Sequence, residues 1–173
     1  MVSRLRVADL SVSSDRLELG SRLIALAGVA VFLYGLAFLV INFTAFTELG
    51  LSAQQVGGQP STIHGFSPSL YNYISHLQVA ICAFIMASSV QSTALAWFGV
   101  RRGMRWALWT VTVAFALSYL IGVPLHFVYG LATLVHLGPF GLVAVLLIAG
   151  VWIAHSGMNS EAAPAGRRSK QSS

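Results

Sequence analysis

Between Leu23 and Ala154 the chain carries four charged side chains, Glu48, Arg101, Arg102 and Arg105, and all of them fall outside the apolar stretches at 23–46, 72–98, 106–129 and 137–154. A helix crosses a bilayer core with roughly 20 apolar residues. The four stretches are therefore expected to form an all-α integral membrane four-helix bundle. Composition agrees: of 173 residues, 56% are hydrophobic and 9% charged, against about 45–50% and 25% in an average soluble domain. The first stretch is too long for the apolar core of a secretory signal, about 7–15 residues, and is read as a retained helix.

The basic residues set the expected threading. Arg4, Arg6, Arg16 and Arg22 precede the first span, Arg101, Arg102 and Arg105 join the second and third, and Arg167, Arg168 and Lys170 follow the fourth. The other two loops contain no Lys or Arg, so both termini are expected in the cytoplasm. Trp97, Trp106, Trp109 and Trp152 lie at the arginine ends of the spans, and Tyr71, Tyr73 and Tyr129 lie at the opposite ends, as interfacial belts do. The net charge of +5 is thus a threading signal that attracts lipid headgroups, and no nucleic acid partner is expected. Residues 1–20 read as a cytoplasmic tail with a short interfacial helix over 8–20, residues 21–156 as the transmembrane domain, and residues 157–173 as a disordered cytoplasmic tail. The expected location is a cell membrane, a bacterial inner membrane or a plasma membrane.

Small residues mark the faces where helices approach in lipid. In the first span Gly28, Gly35 and Asn42 recur every seven residues; in the second, His76, Ala80, Ala83, Ala87, Gln91 and Ala94 follow steps of four and three. In the third, Ala114, Ser118, Gly122 and His126 recur every four, with Tyr119 one heptad before His126. Asn42, His76 and His126 are each about one turn below the outer surface and are expected to converge. Pro124 is expected to open the helix beside His126, because it lacks an N–H and clashes with the carbonyl of Leu120. His136 lies off the Gly138 and Gly141 face and is expected to be an ordinary interfacial residue. Ser67 and Pro68 read as an N-cap followed by a first-turn proline. The loop at 48–67, rich in glycine, is expected to fold back over the outer mouth.

Such a cluster permits several chemistries. Asn and His can act simply as interhelical hydrogen-bonding glue, worth about 0.6 kcal/mol. The expected function is a pocket for a lipophilic small molecule, walled by Phe38, Phe43 and Phe127. His76 and His126 are the candidate general acid and base, and Asn42, Tyr119, Tyr73 and Tyr129 the candidate binding groups. Isomerisation, cyclisation or ring opening would suit it. A metal held by His76, His126 and His136 lacks a carboxylate within the spans, and only Glu48 in the loop could supply one. A haem between His76 and His126 would turn its propionates toward a surface without Arg or Lys. No metal or cofactor is assigned on these grounds. A proton-relay transporter is disfavoured because intramembrane Asp and Glu are absent. The competing reading is a non-catalytic subunit or assembly factor that packs against a membrane protein partner, or a second copy, through its Gly and Ala faces.

In size and layout the chain resembles several families of small four-helix membrane proteins: the DoxX-like group, the vitamin K epoxide reductases and the emopamil-binding sterol isomerases. The reductases depend on cysteine pairs, whereas this chain has Cys82 alone. The isomerases use intramembrane carboxylates with His, and those carboxylates are missing. No residue role is carried over from any of them.

Overall fold

A computed structural model describes residues 2–162 of the chain, with side chains from 14 to 160. Among the described residues there is no strand, and the helices are α1 (Val2–Thr44), α2 (Pro60–Phe66), α3 (Pro68–Ala94), α4 (Arg105–Val128) and α5 (Leu134–Ala162). Four of them, all except α2, are long and apolar enough to cross a membrane. Local chemistry sets their ends. Ser67 Oγ accepts the Leu70 N–H at 3.2 Å and Pro68 occupies the first turn of α3, where no N–H is needed. The other end of α3 loosens into a π-helical turn over Leu95–Gly99 and a 3₁₀ turn over Val100–Arg102.

Two helices run past the boundaries expected from hydropathy. α1 is continuous from Val2, so the stretch expected as a separate short helix over 8–20 is the leading part of α1. α5 continues to Ala162, six residues into the segment expected as a disordered tail; the remainder of that segment, 163–173, lies outside the described residues. Both extensions are at the arginine end. There Glu18 pairs with Arg22 and with Arg101, and Arg105 donates to the Met158 carbonyl oxygen and to Asn159 Oδ1. These bonds tie the arginine turn to α1 and to α5.

α1 packs between α5 and α3. Its contact with α5 depends on Gly20, where an added Cβ would come within 2.6 Å of the Ala154 backbone nitrogen and 2.7 Å of the Gly150 carbonyl oxygen. Here backbone meets backbone. Gly28, Gly35 and Asn42 are all buried on the opposite seam, facing α3 as their heptad spacing predicts. The face that α3 turns toward them is different from the expected one. Cys82, Ser89, Ser92 and, in the following turn, Ala96 are buried, whereas His76, Ala83, Ala87, Gln91 and Ala94 are exposed. Serine fits a tight seam because its hydroxyl is satisfied within its own helix: Ser89 Oγ donates to the Ile85 carbonyl at 2.6 Å. On α5 the inward face runs through His136, Val143, Leu147, Gly150 and Ala154, and Gly138 and Gly141 are exposed.

α4 is the least embraced. Its buried residues, Ala107, Leu108, Val111 and Phe115, all lie in its first half, and toward the histidine end it stands apart from α3. Its most apolar window is 11% buried. Large side chains such as Leu120, Phe127 and Val128 point outward, and each would forgo roughly 1.5–3 kcal/mol in water. Lipid removes that penalty.

The seam predicts a contrast between glycines. Gly20→Val should overpack the α1–α5 contact and lower stability by about 1–3 kcal/mol, whereas Gly138→Ala and Gly141→Ala, whose added Cβ meets nothing within 4 Å, should not lower it and should gain the helix preference of alanine, about 0.5–1 kcal/mol. Thermal melting of the detergent-purified chain measures all three. Equal melting of Gly20→Val and the wild type would refute the close approach.

Candidate functional site

The histidine end is organised by the segment that leaves α1. After Thr44 the backbone turns back, with the Phe46 N–H on the Ile41 carbonyl at 3.0 Å and Phe46 itself in the left-handed region (φ 55°). The buried Phe46 ring stacks on Tyr71 of α3, with centroids 4.1 Å apart. That stack aims the next residues across the start of α5. The Leu49 carbonyl oxygen accepts from His136 Nδ1 at 2.7 Å, and the Gly50 carbonyl oxygen accepts from Thr133 Oγ1 at 3.3 Å. Thr133 Oγ1 in turn accepts the His136 backbone N–H at 3.1 Å, as an N-cap hydroxyl does. Gly50 is required at this crossing: its φ is +82°, and a Cβ would lie 2.7 Å from the His136 nitrogen.

This docking delivers Glu48 to His136. The His136 side chain is completely buried, and its Nε2 has no hydrogen-bond partner. Glu48 Oε2 lies 3.6 Å from that nitrogen, beyond hydrogen-bonding range. His126 arrives from α4 with its ring centroid 4.9 Å from that of His136. Its Nδ1 lies 2.7 Å from the Gly122 carbonyl oxygen one turn back. A carbonyl can only accept, so in both histidines Nδ1 carries the proton, and in the neutral ring Nε2 holds the lone pair. One donor atom from each of Glu48, His126 and His136 can be chosen so that all lie within 4.8 Å of one another.

Below this triad a cavity of about 160 Å³ runs between α3 and α4. Its walls include Tyr34 of α1, Ser89 of α3, Phe115, Ser118 and Tyr119 of α4, and Phe140 of α5, with His126 at one end. The cavity exists because α4 and α3 diverge toward the histidine end. A wider apolar groove, about 500 Å³, lies between α4 and α5 and is lined by Trp109, Trp152 and His155 among others. Its lining has no comparable polar cluster.

The expected site residues separate into three groups. His126 and Tyr119 line the cavity, where Tyr119 donates its hydroxyl to the Phe140 carbonyl at 2.6 Å. Asn42 is buried in the α1–α3 seam, with Nδ2 donating to Ser75 Oγ at 3.1 Å and Oδ1 unpaired. His76, Tyr73 and Tyr129 are exposed on the outer surfaces of their helices and do not enter the cavity. The expected convergence of Asn42, His76 and His126 is replaced by that of Glu48, His126 and His136. His136 is thus a buried member of the cluster, not an ordinary interfacial residue. None of the three expected wall residues lines the cavity: Phe38 is buried elsewhere in the bundle, and Phe43 and Phe127 face outward.

Compared with known protein families, curated proteins and solved structures, the chain matches none.

The crossing at Gly50 can be tested against Gly57, which also has a positive φ (+92°) but meets nothing within 4 Å of an added Cβ. Gly57→Ala should cost the backbone strain alone, roughly 1–2 kcal/mol. Gly50→Ala should cost about 1–3 kcal/mol more through overpacking against α5. Thermal unfolding of both variants checks this, and equal destabilisation would mean that the loop does not press on His136.

Proposed function

We propose that the chain is a multi-pass cell-membrane protein with both termini in the cytoplasm, and that the cavity between α3 and α4 binds a lipophilic small molecule near the outer leaflet. The single observation that carries the reading is the cavity itself: largely apolar walls beside the lipid-facing α4, with the His126 ring of the polar triad at one end. A space of about 160 Å³ suits a group of roughly the size of a benzene ring, since a 150 Å³ apolar cavity is known to take benzene. The remainder of the molecule would leave through the gap between α3 and α4 into the bilayer. A ring-bearing head on an apolar tail is therefore the ligand class.

Orientation would come from the few polar groups. Ser118 is exposed toward the cavity, and its hydroxyl, which donates to the Ala114 carbonyl at 3.0 Å, keeps lone pairs for a ligand donor. The His126 end meets the ligand's oxygen. Conversions that need a proton acceptor or an electrophile at one oxygen, namely isomerisation, cyclisation or ring opening, fit that placement. The arginine bias of one end supports the cytoplasmic assignment of both termini, and the exposed Trp97, Trp106, Trp109 and Trp152 at the same end support an interfacial belt.

Native mass spectrometry of the chain, purified in detergent and treated with chelator, tests the binding. A co-purified lipophilic molecule should be seen on the wild type. Gly122 lines the cavity and an added Cβ there meets nothing within 4 Å, so Gly122→Leu should fold normally and release it. Retention by Gly122→Leu, or a bare wild type, would contradict the reading. Threading is tested by membrane-impermeant maleimide on Ser61→Cys and Ser160→Cys in a Cys82→Ala background. Labelling of Ser61→Cys in intact cells and of Ser160→Cys only after lysis is expected, and the reverse pattern would overturn the orientation.

A further inference from the structure

We propose that Glu48, His126 and His136 form a mononuclear site for a divalent transition-metal ion of the zinc or ferrous type. The argument begins with an electrostatic oddity. His136 Nε2 is a buried lone pair with no partner, and it faces a carboxylate oxygen at 3.6 Å. Two acceptors in that arrangement repel unless a cation stands between them, and an unsatisfied buried acceptor is costly in its own right. A proton could bridge two such groups. The third member decides between the possibilities, because His126 adds a ring nitrogen to a set in which one donor atom from each of the three residues lies within 4.8 Å of the others, and a proton has no use for a third donor.

The geometry and the donor chemistry agree with a metal. Ligands on one tetrahedral ion, each at about 2.0–2.1 Å, lie roughly 3.3 Å from one another, close to the 3.6 Å between Glu48 and His136. Both histidines also have the outer support that metal-bound imidazoles use, with the far ring N–H given to a backbone carbonyl: Leu49 for His136 and Gly122 for His126. Those bonds fix the tautomer and leave Nε2 of each ring as the atom free to ligate. Two histidines and one carboxylate, with positions left open, are the donor set of catalytic zinc and of non-haem ferrous centres. Glu48 supplies the carboxylate that the membrane spans themselves lack, so part of the ionic charge is compensated by a side chain carried in from the loop.

The inference deepens the reading of the cavity, because an open position on the ion would be the electrophile that meets a ligand's oxygen at the His126 end. The two are tested separately, since metal loading needs no lipophilic molecule and ligand retention is measured in chelator-treated protein. Co²⁺ is the probe, added to the full chain after chelator treatment in detergent. The wild type should bind one equivalent, with visible d–d absorption that Zn²⁺ abolishes, and Zn²⁺ but not Mg²⁺ should raise the melting temperature. Glu48→Gln and His126→Ala should weaken Co²⁺ binding by more than the roughly 10–100-fold that loss of an outer-shell partner costs. His64→Ala, His76→Ala and His155→Ala should bind as the wild type does. His136→Ala is avoided because His136 also holds the loop. Unchanged Co²⁺ binding in Glu48→Gln and His126→Ala would overturn the proposal. So would a wild type with neither saturable Co²⁺ bands nor a Zn²⁺-dependent melting shift, which would leave an imidazolium–carboxylate pair. Elemental analysis of the protein as purified then distinguishes zinc from iron.

Discussion

The hydrogen bond from His136 Nδ1 to the Leu49 carbonyl oxygen joins the segment after α1 to the first turn of α5, and the polar end of the molecule is arranged around it. Without that bond Glu48 would have no reason to approach a membrane helix, and His136 Nε2 would have no charge to face. The bond depends on a glycine, because the Gly50 backbone passes too close to His136 for any Cβ. It also depends on Thr133, which caps α5 and holds the Gly50 carbonyl at the same time. A short loop thereby becomes part of the site that the spans cannot build from their own residues.

The opposite end of the molecule works by different means. Charges there are numerous and exposed, so pairs such as Glu18 with Arg101 contribute little individually in water. Close packing does more. Gly20 lets α1 meet α5 backbone to backbone, and the serine and glycine seam does the same for α1 and α3. With three helices fastened in this way, α4 is held chiefly through its first half, and its second half diverges to leave the cavity. Pro124 lies in that diverging half, and α4 runs through it as an α-helix to Val128 without the opening expected there.

The helices and their approximate positions were legible in the sequence because hydropathy and length act residue by residue. The faces were harder. On α3 the stripe through Cys82, Ser89, Ser92 and Ala96 lies roughly 150° around the helix from the one through Ala83, Ala87 and Ala94, yet both consist of small residues. Serine, satisfied by its own backbone, packs as alanine does, so neither stripe announces itself as the inner one. On α5 Gly138 and Gly141 suggested a face that faces outward, and His136 was misplaced with it. The residues that form the inner face there, Val143 and Leu147, are larger than the small-residue rule anticipates. Glu48 could not be placed at all from sequence, since its position depends on a left-handed turn at Gly50 and a stack between Phe46 and Tyr71. Tyr34 in the cavity wall was likewise overlooked, beside Gly35 but one position off the heptad face.

Two carbonyl groups fix the protonation pattern of both histidines and leave the Nε2 lone pair of each free to ligate. Nitrogen-15 NMR of the histidine-labelled protein in lipid bilayers, in the metal-free state, reads that pattern directly. His126 and His136 should both be found protonated on Nδ1 and bare on Nε2, in contrast to the exposed His64 and His76. A proton on Nε2 of either cluster histidine would contradict the account.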